Sequence, residues 1–141
     1  MANNCRIFTP TEYVNELLDA IGYKGQLYGK SILENSCGDG KILVEVVRRY
    51  IVSCKRKKMT NKEIKNGLEH DVYGVELEKA HAESCRKNLD DIANSLGVKD
   101  VAWNIIEGDY LRLQLNRKFT YIVGNPPYIT YKDIEIPDRV Y

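Results

Sequence analysis

The sequence is poor in the residues that build metal sites. It has two histidines, His70 and His81, and four cysteines, Cys5, Cys37, Cys54 and Cys85, none in a C-x-x-C spacing. That set argues against zinc, and no metal is expected. Four thiols spread this widely in a lysine-bearing chain read as reduced cysteines of a cytoplasmic protein. No apolar run approaches the ~20 residues that span a bilayer, and no apolar h-region follows the N-terminus. The chain is therefore expected to be neither membrane-spanning nor secreted. Its formal net charge is +1, so no overall basic field announces a nucleic acid. Repeats and low-complexity tracts are missing too. So is the dinucleotide fingerprint G-x-G-x-x-G, because Leu43 stands where its third glycine would fall.

What remains is an ordinary globular composition. The 141 residues are 43% hydrophobic and 29% charged, enough for one domain with a real core. Thr9-Pro10-Thr11-Glu12 has the grammar of a helix start, with an N-cap, a first-turn proline and a capping-box acid. Tyr13, Val14, Leu17, Leu18 and Ile21 then follow at helical spacing, and Gly22 can end the helix. Ser31–Asn35 reads as a short buried strand. A tight turn and a helix from about Lys41 follow, with Ile42, Leu43, Val46, Val47, Tyr50, Ile51 and Cys54 on its buried side. Lys55 to Lys58 is a basic surface run, and Thr60-Asn61-Lys62-Glu63 is a second capping box. Val72–Glu76 reads as a strand. A helix from about Glu78 to Leu96 buries Ala82, Cys85, Leu89 and Ile92 and stops at Gly97. Val101–Ile106 and Thr120–Gly124 are the last two strands. This order predicts an α/β domain with a parallel sheet and crossover helices.

In such sheets ligands lie beyond the carboxyl ends of the strands. The unusual residues of this sequence fall at those ends. After the first strand comes Glu34-Asn35-Ser36-Cys37-Gly38-Asp39-Gly40, whose glycines allow close ligand approach to a helix N-terminus. Alone it is equally a plain tight turn. Glu76 closes the second strand, where a carboxylate can accept from a ribose diol, or simply sit solvated. Glu107-Gly108-Asp109-Tyr110 follows the third. Asp109 can accept from an exocyclic amine and Tyr110 can face a purine, unless this is a Gly-Asp turn with Tyr110 in the core. The fourth end, Asn125-Pro126-Pro127-Tyr128, is the specific one. Two prolines after a buried strand fix an extended, donor-poor turn. The Asn125 carboxamide oxygen and the Pro126 carbonyl become paired acceptors suited to a planar NH2 group, and Tyr128 offers a stacking ring.

Together these segments resemble the gamma class of N6-adenine DNA methyltransferases of restriction–modification systems. Phe8-Thr9-Pro10 with its helix looks like that class's N-terminal motif, and Glu34 to Gly40 looks like its acidic-Pro-x-Cys-Gly-x-Gly motif. Gly74-Val75-Glu76, Gly108-Asp109-Tyr110 and Asn125-Pro126-Pro127-Tyr128 follow in the family's order, over about residues 7 to 130. Asn35 departs from the usual proline. The resemblance implies a Rossmann-like class I methyltransferase fold with a partial sheet of about four strands. It implies S-adenosylmethionine as cofactor, its methionine end near Thr9, Glu34 and Ser36 and along Cys37, Gly38 and Gly40. Glu76 would meet the ribose, and Asp109 and Tyr110 the adenine. Asn125, Pro126 and Tyr128 would carry the transfer to N6 of a flipped-out adenine, with Pro127 and Tyr128 against the target base. Double-stranded DNA is the implied partner, with a restriction subunit or a fused nuclease beside it. Protein glutamine and RNA base methyltransferases share the Asn-Pro-Pro-Tyr motif and are the alternative, as is a non-catalytic cofactor-binding fragment. Residues 1–141 are expected to be a truncated cofactor-binding catalytic domain without its target-recognition domain. The strand ending at Gly124 is then expected at an open edge, and the isolated chain inactive by itself.

Overall fold

The computed structural model describes residues 11–113 and 115–124. Helix α1 is Thr11–Ala20, with Val14 and Leu18 buried. The proposed cap at Thr9 lies outside the described residues. Gly22, in the left-handed region, turns the chain, and Tyr23 donates its N–H back to the Leu18 carbonyl. Tyr23 and Leu27, which read as loop in sequence, are both core residues.

Strand β1 is Ile32–Glu34 and leads through the glycine turn into α2, Lys41–Arg56. All seven residues expected on the buried side of α2 are buried. Helix α3, Asn61–Asp71, starts with both halves of the Thr60–Glu63 capping box in place. Strand β2, Val72–Glu76, and helix α4, Lys79–Ser95, follow as expected. Ala93 takes the buried place expected of Ile92, which is only partly covered.

Strand β3 is Asn104–Glu107, beginning later than Val101. The reason is hydrogen bonding. The Ala102 N–H donates to the Glu69 carboxylate at 2.9 Å and the Trp103 indole to Asp90 at 2.7 Å. This approach segment is therefore held by side chains of α3 and α4. A 3-10 turn at Tyr110–Arg112 precedes β4, Tyr121–Val123.

The four strands form one parallel sheet in the order β3-β2-β1-β4. The chain runs outward from β1 to β3 and then returns to the other side of β1. The topological switch point thus lies between β1 and β4, the crevice where α/β sheets bind ligands. Among the described residues β4 pairs only with β1 and is an edge, as expected. Side chains alternate between two clusters. Ile32, Val72 and Ile105 join the large core under α2 and α4, and Leu33, Val75, Ile122 and Phe119 form a smaller one on the opposite face. Gly74 lets α2 approach the sheet, since a Cβ there would fall 2.7 Å from the Leu43 side chain. Among the described residues no helix is long and apolar enough to cross a membrane.

The amino-terminal pole of the sheet is tied by Asp71, which is 1% exposed. Its Oδ2 accepts from the Tyr50 hydroxyl at 2.5 Å and the Gly29 N–H at 2.8 Å, and its Oδ1 lies 2.9 Å from His70 Nδ1. One carboxylate thus holds α2, α3 and the loop leading into β1. Asp71→Ala leaves the buried Tyr50 hydroxyl and the part-buried Gly29 N–H without an acceptor and should cost about 1–3 kcal/mol. Urea unfolding should show a lower midpoint at unchanged slope. A midpoint equal to the parent's would contradict this role.

Candidate functional site

The carboxyl ends of β1 and β2 are joined by one side chain. Glu76, 7% exposed, accepts the Gly38 N–H on Oε1 at 2.8 Å and the Glu78 N–H on Oε2 at 2.9 Å. The Cys37 N–H donates to the Val75 carbonyl, and the Gly108 N–H donates to that of Glu76, both within 3.0 Å. The ends of β1, β2 and β3 are therefore stitched side by side. The fourth joins them through the Asn35 N–H, which donates to the Val123 carbonyl at 3.0 Å.

Two glycines shape the turn for different reasons. Gly40 is the N-cap of α2 at φ 97°, and a Cβ there would meet the Cys85 sulfur at 2.9 Å. Gly38, at φ 56°, faces open space, with nothing within 4 Å of a Cβ position. Gly40 thus seats the turn on α4, while Gly38 leaves room for a visitor. The Cys37 side chain, counted above among the cofactor residues, points the other way. It is buried beside Gly74, and its contact with the Cys85 thiol, together with burial, holds it protonated. Only its backbone faces the turn. Ser36 is exposed at the same turn.

Glu34 is 1% exposed, and its Oε1 has no hydrogen-bond partner. Burial, and then the neighbouring Cys37, Glu76 and Asp39, push its carboxyl well above the usual carboxylate range. The Asn35 carboxamide oxygen is likewise enclosed without a partner. Unsatisfied buried acceptors of this kind are uncommon in a finished site.

At the third strand end, the Asp109 carboxylate accepts the Leu111 N–H at 3.0 Å and so caps the 3-10 turn. Tyr110 is half-buried against the smaller cluster. Sequence reasoning missed two neighbours. Leu77, directly after Glu76, is 70% exposed, and Leu111 is 86% exposed. Large apolar side chains this exposed at adjacent strand ends offer flat contact to an apolar ring. The missed signal was a leucine one residue after Glu76 and two residues after Asp109. Asn125, Pro126, Pro127, Tyr128 and Thr9 lie outside the described residues. The described chain reaches Gly124, one residue before Asn125.

A cleft of about 630 Å³ borders the turn from the side of α1 and α4, lined by Thr11, Val14, Asp39, Gly40, Lys41, Asn88 and Ile92 among others. Glu34, Glu76 and Asp109 are not among the residues that line it. Among the described residues no group of three potential metal ligands occurs.

A protein-family model for the RMKL-like methyltransferase domain matches residues 22–131. The chain belongs to this family. The match takes in the glycine turn, the three strand-end acids and Asn125 to Tyr128. Among curated relatives, the type II methyltransferase M.PaeR7I of Pseudomonas aeruginosa is 29% identical, aligning 93% of this chain and 24% of its own length. The modification methylase CviBIII of Paramecium bursaria Chlorella virus NC1A is 30% identical over 86% of this chain and 25% of its own length. This methyltransferase domain thus spans about a quarter of each of these two relatives. An RNA methyltransferase from Salinibacter ruber, solved with S-adenosyl-L-homocysteine, superposes with a TM-score of 0.55 at 17% identity. That superposition covers 84% of this chain and 60% of the other. The Rossmann-like methyltransferase fold expected from the sequence is the fold observed.

Glu34 yields a stability prediction with a definite sign. Its folded-state carboxyl keeps its proton above the usual range near 4.5, so the native domain binds more protons than the unfolded chain. Its contribution to stability is full below that range and is lost as pH rises through the folded value. Glu34→Gln has no such loss. In thermal melts of the ligand-free domain, the variant should gain on the parent as pH increases. A constant difference between the two across pH would refute the assignment.

Proposed function

We propose that this methyltransferase domain binds S-adenosylmethionine and transfers a methyl group to N6 of adenine in duplex DNA, as the catalytic part of a restriction–modification methylase. The supporting observation is that Glu34, the glycine turn, Glu76 and Asp109 share one edge of the sheet. Glu34 closes β1 and the glycine turn follows it, Glu76 closes β2, and Asp109 follows β3; in the sequence, Asn125-Pro126-Pro127-Tyr128 comes directly after Gly124.

The residues present suit the cofactor. Gly38 leaves open space at the start of a helix, and Glu34 offers an unpartnered acid to the cationic methionine end. Thr9 and Ser36 would complete that end. Each Glu76 oxygen accepts one backbone N–H and keeps capacity for a ribose hydroxyl. Asp109 would take the adenine amine, with Tyr110, Leu77 and Leu111 against the ring. When bound, the cofactor supplies an electrophilic methyl group on a sulfonium.

The chain's own part is positioning. The Asn125 carboxamide oxygen and the Pro126 carbonyl accept the two hydrogens of the target amine, orienting its lone pair toward the methyl group. Pro127 and Tyr128 hold the base, which must leave the stack to be reached. The rate then derives from alignment and fixed dipoles more than from a strong base. The relatives are named a type II methyltransferase and a modification methylase, which supports DNA as the acceptor; a restriction subunit or nuclease would be the companion activity.

Transfer of radiolabelled methyl from S-adenosylmethionine should be measured on duplex DNA, RNA and peptide, with the full-length protein. Label should appear in DNA, and nucleoside mass spectrometry should find N6-methyladenine. Asn125→Ala should lower turnover by at least about a hundredfold, the scale of losing one placed hydrogen-bonding group. Cofactor affinity should stay nearly intact. Label in RNA or peptide alone would overturn the DNA assignment. An equal loss of cofactor binding in Asn125→Ala would overturn the role of Asn125.

A further inference from the structure

Three acidic side chains among the described residues are buried: Glu34, Asp71 and Glu76. Asp71 and Glu76 each accept backbone N–H groups, and Asp71 also accepts a tyrosine hydroxyl. Glu34 differs. Its Oε1 is enclosed without a partner at the closed end of the glycine turn. From the turn it is acted on by Cys37 and Asp39, and from β2 by Glu76. On β4 its paired residue is the uncharged Val123. Among the described residues, the groups acting on it are thus neutral or anionic.

An ionised carboxylate in that position would be desolvated, unpaired and repelled by two other acids. A neutral carboxyl avoids all three penalties. A cation placed beside it reverses the preference, since a paired carboxylate is far better tolerated than a lone one. The ligand of the proposed function carries such cations at its methionine end, an α-ammonium and a sulfonium.

We propose that Glu34 is a proton-linked reader of positive charge: it holds a proton while the site is empty and releases it to solvent when a cation of the cofactor arrives beside it. This rests on the cofactor reading above and adds a charge state and a linkage to it. The balance is simple. One O–H bond of Glu34 breaks, its proton goes to buffer, and the carboxylate pairs with the cofactor's cation. Affinity should then rise with pH, by up to about tenfold per unit, until Glu34 ionises in the empty site as well.

The test is calorimetric titration of the chain with S-adenosylmethionine in phosphate and in Bis-Tris, buffers of different ionisation enthalpy. Working at about pH 6.5 keeps the cofactor's own α-amino group, near 7.7–8.0, protonated. The difference in heats should report a net release of protons on binding, of at most one per cofactor. In Glu34→Gln the release should vanish and the affinity should become flat with pH. His81 lies 3.6 Å from Glu76 and is the imidazole beside the site. His81→Gln should leave the release in place.

S-adenosylhomocysteine, which lacks the sulfonium, locates the cation. Release with both ligands assigns it to the α-ammonium, and release with S-adenosylmethionine alone assigns it to the sulfonium; either supports the proposal. Equal heats in the two buffers for the parent chain, or release that persists in Glu34→Gln, overturn it. Should Glu34→Gln fail to fold, the two-buffer comparison on the parent still decides. Absence of any binding would overturn the cofactor reading, and this proposal with it.

Discussion

The geometry of the site hangs on the Glu76 carboxylate. Strand β2 ends where its side chain turns across to β1, accepts the Gly38 N–H and so fixes the glycine turn against its neighbour. The other oxygen holds the Glu78 N–H, which aims the start of α4. Helix α4 in turn carries Cys85, the atom against which Gly40 must stay bare. Turn, strand end and helix start are thus one hydrogen-bonded unit made by the chain's own groups. Preorganisation of this kind reduces the ordering that a ligand must bring about on binding.

The two poles of the sheet treat buried acid in opposite ways. At the amino-terminal pole, Asp71 accepts from Tyr50 and Gly29 and lies beside His70, and so holds α2, α3 and a loop together. At the carboxyl pole, Glu34 has no donor on its enclosed oxygen and two acids for neighbours. A protein gains no stability from the second arrangement. Burying a polar group without a partner costs free energy, which is the usual mark of a group kept for a ligand. The contrast within one small domain separates architecture from function more sharply than either acid does alone.

Much of this was legible in the sequence because it depends on local rules. The capping box at Thr60 and Glu63, the buried face of α2 and the four strand positions follow from spacing and turn chemistry. Tyr23 and Leu27 were not legible, because their burial depends on where the loop before β1 is pulled by Asp71, Ser53 and Arg49. The late start of β3 depends on Glu69 and Asp90, which are distant in the chain. Cys37 was read by motif position, yet its thiol faces Cys85, a pairing that only the packing of α4 on the turn reveals. Leu77 and Leu111 escaped notice because an apolar residue in sequence suggests burial, and these two are exposed.

The charge of the site also separates ligand classes that the fold alone would admit. A glycine turn opening a helix after the first strand of a parallel sheet is a common seat for phosphate, drawn by free N–H groups and the helix dipole. Here the same turn is ringed by Glu34, Asp39 and Glu76, and no side chain caps the start of α2. A pyrophosphate placed there would meet three acids at close range. The absent third glycine and this acidic ring both disfavour a dinucleotide. A ligand without phosphate, carrying net positive charge and a ribose, meets the ring favourably and still finds Glu76 for its hydroxyls. Under the proposed function the helix N-terminus would receive the lone carboxylate of such a ligand, and the acids beside it would take its cations.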